Sequence, residues 1–345
     1  MTGGCGRWVA RSILAAAACG SAWGQAPAHH TPEGFRNNYP HGKESFWAWK
    51  WEQLRHGVAE PPPGGWKIPA TTTDAAWLRA NGTEPTVTWI GHASFLVQLA
   101  GRNILFDPIF SERASPDPFA GPRRLVPLTL DVPDLPRIDV VLISHNHYDH
   151  LDEASVKRLA AMPGGGPLFL VPLGLKAWFH EKGIERVEEF DWWQARTAAG
   201  LRFTLVPCQH WSKRTLWDTY KTLWGGWVVT GGGLNIVHTG DMGYSKDMQD
   251  IGERLGPFDL AFIPIGAYAP RWFMKANHVD VPEAVQVRAD LRARRAIGMH
   301  WGTFESLTDE PMDEPPMELA KQRAAAGLSR DQFDVMKIGE TRSLR

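Results

Sequence analysis

Three histidines and an aspartate fall within six residues, His145-Asn146-His147-Tyr148-Asp149-His150, directly after the continuous apolar run IDVVLIS at 138–144. The run reads as a strand buried on both faces. His145 and His147 are two apart and so point to the same side of an extended backbone. Asp149 and His150 fall where the chain turns into a helix that Asp152 caps. Crowding these groups into one loop without a cation is costly, so the segment is read as a metal-binding loop. Imidazole and carboxylate together suit zinc, and also iron or manganese. Three further candidates each end an expected strand: His210 after TLVPCQ, Asp241 after NIVHTG and His300 after AIGM. Loops at the same ends of neighbouring strands converge in space. Taken singly, His92, His180 and His238 read as satisfied buried or surface histidines.

Around this loop the chain alternates short β-type runs with helical ones. TVTWI, SFLVQL and NILFD form an antiparallel meander from Thr86. Further strands are expected at 167–171, 201–206, 226–230, 234–238, 259–263 and 295–299. Helices are expected at 153–160, 173–182, 245–254, 281–293 and 315–325. Two blocks of strands, each followed by helices, predict two packed sheets with helices outside. Residues 25–85 read as an N-terminal extension with one helix near 44–55, ended by Gly57 and by Pro61-Pro62-Pro63. The 86–345 stretch reads as the catalytic domain.

Charge excludes one class of partner. The 37 Lys and Arg balance 38 Asp and Glu, a net charge of −1, so no bulk positive field exists for nucleic acid. Seventeen tryptophans against five tyrosines fill a core, line an apolar groove or sit at a membrane interface. Trp47, Trp49 and Trp51 on the N-terminal helix are read as packing on the sheets, with an interfacial membrane contact as the alternative.

Residues 1–24 carry Arg7 and Arg11, the apolar run SILAAAAC and small residues before Gln25. This is the pattern of a secretory signal peptide, and it predicts an exported, periplasmic or secreted protein. Lipidation at Cys19 is the second export reading. Past residue 24 only Cys208 remains, which excludes an intrachain disulfide and a zinc site built on several thiolates. Cys208 reads as packing rather than as a ligand.

The segment His145–His150 resembles the His-x-His-x-Asp-His signature of the metallo-β-lactamase superfamily. WIGHASFLVQLAGRNILFDPIFS, HNHYDHLD, QHWS, HTGDMGYS, ANHVD and MHWGTF look like the group of N-acyl-phosphatidylethanolamine-hydrolysing phospholipases D and its bacterial relatives, over about residues 35–340. The resemblance implies an αββα sandwich with the site at one edge. It implies that His145, His147 and His210 hold one zinc ion, that Asp149, His150 and His300 hold another, that Asp241 bridges them, and that Asp107 braces the metal loop. The activity it implies is hydrolysis of a lipid phosphodiester, or of another small anionic substrate, by attack of a bridging hydroxide on phosphorus. His278, in ANHVD, is then the candidate donor to the leaving alcohol, with a plain helix-entry role beside Asp280 as the alternative. Tyr148, Trp211, Tyr268 and Trp272 are candidate substrate-wall residues. A lactonase or β-lactamase-like hydrolase on the same fold, and a non-catalytic metal-binding protein, stay open as alternatives. Oligomeric state is not legible.

Overall fold

The computed structural model describes residues 1–2, 27–42 and 45–345. The expected signal peptide, with Cys5 and Cys19, falls outside the described residues apart from Met1 and Thr2. A two-stranded hairpin, His30–Thr31 (β1) with Gly34–Phe35 (β2), is followed by helices Phe46–His56 (α1) and Ala75–Ala80 (α2). Ser45 starts α1 by accepting a hydrogen bond from Ala48 N, and Gly57, at φ 75°, ends it.

The meander and the buried run then build one sheet: Thr86–Gly91 (β3), Ser94–Leu99 (β4), Arg102–Phe106 (β5), Val140–Leu142 (β6), Leu168–Pro172 (β7) and Val187–Phe190 (β8). A second sheet follows: Ala195–Ala198 (β9), Leu201–Val206 (β10), Gly226–Gly231 (β11), Leu234–His238 (β12), Phe258–Pro264 (β13), Ala293–Met299 (β14) and Phe333–Asp334 (β15). The last strand, Thr341–Ser343 (β16), returns to the first sheet beside β3, so each sheet has seven strands. Each is antiparallel at one side and parallel at the other, with β5–β8 and β12–β15 the parallel stretches. Helices Glu153–Ala160 (α3), Lys176–Glu181 (α4), Asp247–Leu255 (α5), Arg271–Met274 (α6), Val281–Asp290 (α7) and Glu314–Ala325 (α8) complete the chain. No described helix is long and apolar enough to cross a membrane.

Strand alternation sorts the apolar residues into layers. Phe95, Val97 and Leu99 of β4, with Ile104 and Phe106 of β5, face the second sheet. Phe95 stacks on Phe262 across the gap at 4.2 Å. Leu96, Leu105 and Val141 face outward, onto Val156 and Leu159 of α3 and Phe179 of α4. On the far side, Met248 and Ile251 of α5 and Ala284 and Val287 of α7 cover the second sheet. The result is the expected αββα order, two mixed sheets inside and helices outside.

Three core tryptophans do more than fill volume. Trp89 gives its indole N–H to His92 O, Trp227 to Ile143 O and Trp224 to Cys208 O. Each bond pins the backbone where a strand of the sandwich runs out into a loop. The extension differs from expectation at α1. Trp49 packs, stacked on Phe273 at 4.7 Å with its indole on Asp309, but Trp47 and Trp51 do not: they are 78% and 60% exposed. The helix is anchored through one tryptophan, so its neighbours at other angular positions point out.

Candidate metal centre

All the strands that lead to the site end at one edge of the sandwich. β3 runs into His92, β5 into Asp107, β6 into Ser144-His145, β10 into His210, β12 into Asp241 and β14 into His300. Gly240, at φ 65°, lets the turn before Asp241 press against its neighbours; a Cβ there would meet Gly225 O at 2.7 Å. His92, Asp107 and His300 hold φ of 54°, 38° and 63°. A side chain in the left-handed region is unfavourable by roughly 1–2 kcal/mol, and such residues cluster at functional sites.

The structure brings together all seven residues expected as ligands. Asp241 Oδ2 sits at the centre, 3.0 Å from His150 Nε2 and from His300 Nε2, and 4.0 Å from His145 Nε2 and from His210 Nε2. Asp149 Oδ2 lies 3.4 Å from His300 Nε2 and 3.6 Å from His150 Nε2. His147 Nδ1 is 2.9 Å from His145 Nε2 and 3.3 Å from His210 Nε2. Two donor groups therefore meet at Asp241, one of His145, His147 and His210 and one of Asp149, His150 and His300.

Neighbouring side chains aim the rings. Asp107 takes Ser144 N and Ser144 Oγ at 2.7 and 2.6 Å and the His150 Nδ1 proton at 2.8 Å. The His210 Nδ1 proton goes to Asn277 O at 3.0 Å. Each bond fixes a tautomer that turns Nε2 inward, as metal-binding imidazoles require.

The two donor groups are pulled in opposite directions. Burial pushes His145 and His210 well below the usual imidazole range, with neighbouring imidazoles acting in the same sense. Burial alone would raise Asp149 and Asp241, but the imidazoles around them, His150 foremost, outweigh it and hold both well below the usual carboxylate range. Burial would lower His150 and His300, yet Asp241 and Asp149 raise His150 well above its ordinary value and His300 to about 9.

The donor set fits bound metal. His150 Nε2, His300 Nε2 and Asp241 Oδ1 are buried without a hydrogen-bond partner. His145 Nε2 and His210 Nε2 both converge on His147 Nδ1, where a single proton can serve only one contact, a geometry that lone pairs directed at a cation would satisfy.

The other expected residues divide. His278 is half-buried, with its ring 5.4 Å from the rings of both His210 and His300. Burial pushes it down to about 4. Asp280 also caps α7, through Glu283 N. Trp211 packs on His147 at 4.7 Å. Tyr148 gives its hydroxyl to Arg214 O at 2.8 Å, beneath the Arg214 guanidinium. Tyr268 and Trp272 are not brought among the imidazoles. Tyr268 is a core residue whose hydroxyl donates to Glu314 at 2.5 Å, and Trp272 gives its indole N–H to Glu52 of α1. Cys208 is buried, its thiol donating to Asp241 O at 3.3 Å. His238 is satisfied by Ala93 O.

His92 was not expected here. Its Nε2 lies 3.0 Å from Asp149 Oδ2, its ring is 3.9 Å from that of His300, and its carbonyl accepts from His300 N. The signal available was its position, at the turn after the first strand of the sheet that carries the metal loop.

Comparison with known proteins gives concordant findings. Residues 102–301 match the Beta-lactamase superfamily domain. The chain is 41% identical over 264 residues to an N-acyl-phosphatidylethanolamine-hydrolyzing phospholipase D of Caenorhabditis elegans, covering 73% of this chain and 74% of that one. It is 35% identical over 261 residues to the mitochondrial N-acyl-phosphatidylethanolamine-hydrolyzing phospholipase D of Saccharomyces cerevisiae, 74% of this chain and 55% of the yeast protein. A metallo hydrolase from the archaeon Ignicoccus hospitalis superposes with a TM-score of 0.57 at 25% identity, over 75% of this chain and 98% of the archaeal one.

Proposed function

The chain belongs to the beta-lactamase superfamily, here as a metal-dependent hydrolase, and on that premise we propose that it is a zinc-dependent phosphodiesterase of phospholipase D type acting on N-acyl-phosphatidylethanolamine-like lipids. The observation that carries the reading is the double donor set about Asp241, in a chain 41% identical to an enzyme named for that activity. His145, His147 and His210 would hold one ion, Asp149, His150 and His300 the other, with Asp241 shared. When bound, a metal pair supplies an activated water and positive charge for the attacked phosphoryl group. Asp107 and Asn277 O keep His150 and His210 aimed. His278, neutral near pH 7, offers a ring N–H to the leaving oxygen, a contact that strengthens as charge develops there.

A lipid substrate has to be drawn from a bilayer, and the exposed aromatics supply a contact surface. Trp47, Trp51 and Leu54 follow one another at i, i+4 and i+7 on α1 and are all exposed, with Lys50 and Arg55 on the same helix. That is the composition of a helix lying in a membrane interface. Export through residues 1–24 remains part of the proposal, and the N-terminal sequence of the protein from its own host tests it.

The test is metal analysis of purified protein with a substrate panel. Two zinc ions per chain, with phosphatidate and N-acylethanolamine released from N-acyl-phosphatidylethanolamine vesicles, is the expected result. Cleavage of nitrocefin or acyl lactones with lipid diesters untouched would replace the phosphodiesterase reading by the lactonase or β-lactamase one.

A further inference from the structure

Residues 27–42 lie outside the stretch that matches the family domain, yet they reach the metal centre. Asn37 Nδ2 donates to His210 O at 2.9 Å, and His210 N donates to Asn37 Oδ1 at 3.1 Å. The side-chain amide thus pairs with both backbone groups of one residue, as a neighbouring strand would. Among the described residues no strand pairs with His210, which lies past the end of β10 and one residue beyond the bridge of Gln209 to Gly243, and the residue is buried. Without Asn37 its N–H and C=O would be left orphaned, which buried backbone rarely tolerates. Asn37 is itself fixed: its Oδ1 also accepts from the Trp224 indole at 3.2 Å, and its Nδ2 lies 2.8 Å from His41 Nε2.

The segment is tied down on both sides of Asn37. His29 and His30 place Nε2 at 2.6 and 2.8 Å from the two oxygens of Asp191. Phe35 N donates to Tyr220 O at 2.9 Å. Asn38 bonds Asp247 at 2.8 Å and Tyr39 bonds Asp250 at 2.5 Å. Asn277 O holds the ring of His210 and Asn37 holds its backbone, so the position of Nε2 follows from the two together.

We propose that Asn37 is a positioning residue of the metal centre, the point at which the N-terminal strap sets His210 for metal. This rests on the reading of His210 as a ligand. Residues that orient a ligand typically contribute about 10–100-fold in metal affinity, and displacements beyond roughly 0.5 Å degrade such sites.

Cobalt(II) titration of metal-free protein, followed by visible absorption and by competition with a chelator, tests the proposal without any substrate. Wild type should take up two equivalents. His210→Ala should lose one. Asn37→Ala should keep both but bind one of them about 10–100-fold more weakly, with an altered absorption band for that site. Asn37→Asp retains the acceptor and loses the donor, so it should fall between, and it serves as the test if Asn37→Ala does not fold. Wild-type affinity and spectrum in the Asn37 variants, alongside a lost equivalent in His210→Ala, would show that Asn37 acts on stability alone and overturn the proposal. Two wild-type equivalents in His210→Ala would instead remove the ligand reading beneath it.

Discussion

Asp191 accepts from Trp192 N, His29 Nε2 and His30 Nε2 at 2.8, 2.6 and 2.8 Å. Asp241 also sits among imidazoles, but its Oδ1 has no partner, and His150 and His300 lie beside its Oδ2 with their Nε2 atoms unserved. Both clusters are sets of histidine and aspartate that a metal could draw together, and the difference lies in how the atoms match. In the strap, N–H meets carboxylate, and the bonds close without an ion. At the strand ends nitrogen also meets nitrogen, His147 Nδ1 lying 2.9 Å from His145 Nε2 and 3.3 Å from His210 Nε2, and buried lone pairs are left over. Proximity of ligand-type residues therefore does not mark a metal centre; unsatisfied convergence does. On this contrast the strap cluster is a fastening and the strand-end cluster the candidate metal site.

The sharpest way to break this contrast is to remove each carboxylate's charge in turn. Asp241→Asn is expected to lower metal occupancy and to reduce turnover by more than roughly 10²-fold, the upper range for residues that only support a ligand. Asp191→Asn is expected to leave the metal-to-protein ratio unchanged in elemental analysis. A fall in that ratio on changing Asp191 would erase the distinction.

Next in size, His278→Ala should retain both metals and lose about 10²-fold in kcat. The loss should shrink for a p-nitrophenyl diester, whose leaving group needs little help. An equal loss for good and poor leaving groups would reassign His278 to substrate positioning or to the start of α7.

Asp107→Asn keeps an acceptor for the His150 proton but gives up the charge. Its expected effect is about 10-fold weaker metal binding by chelator competition, the low end for such residues.

Smallest is the strap itself. Burial lowers His29 below its usual 6.5, the Asp191 contact notwithstanding. The unfolded chain therefore takes up a proton that the folded strap resists, so the contribution of His29 to stability is present above pH 6.5 and declines as pH falls toward its folded value. Metal-loaded protein should show this loss between pH 7 and pH 5, and His29→Gln should flatten it in denaturant titrations. An unchanged slope would place the proton uptake elsewhere.

The metal loop was readable in the sequence because His145, His147, Asp149 and His150 are neighbours in the chain and follow an apolar strand. Asp241, His210 and His300 were readable as strand-end residues, helped by family resemblance. His92 was not, since a lone histidine in a turn carries no sign of what faces it. The main strands came through because their apolar runs are long. VEEF at β8 and ARTA at β9 were missed because polar residues dilute their pattern, and α2 because its six residues follow a threonine- and proline-rich stretch. The substrate-wall residues show a further limit. Chain order put Tyr268 and Trp272 near the site, but the direction of a side chain depends on partners such as Glu314 and Glu52 that only folding brings together.

The two sheets contribute equally to each proposed ion, and neither ion belongs to one sheet. His145 and His147 come from the first and His210 from the second; Asp149 and His150 come from the first and His300 from the second; Asp241, shared by both, comes from the second. The metal pair would thus be a rivet across the mouth of the sandwich as well as a reagent within it. A ligand bound only by the folded form, at a hundred times its dissociation constant, adds about 2.7 kcal/mol, and here that adhesion would act at one edge. Demetallated protein should loosen from that edge inward, the loops after β3, β6, β10, β12 and β14 exchanging amide hydrogens before the opposite rim does.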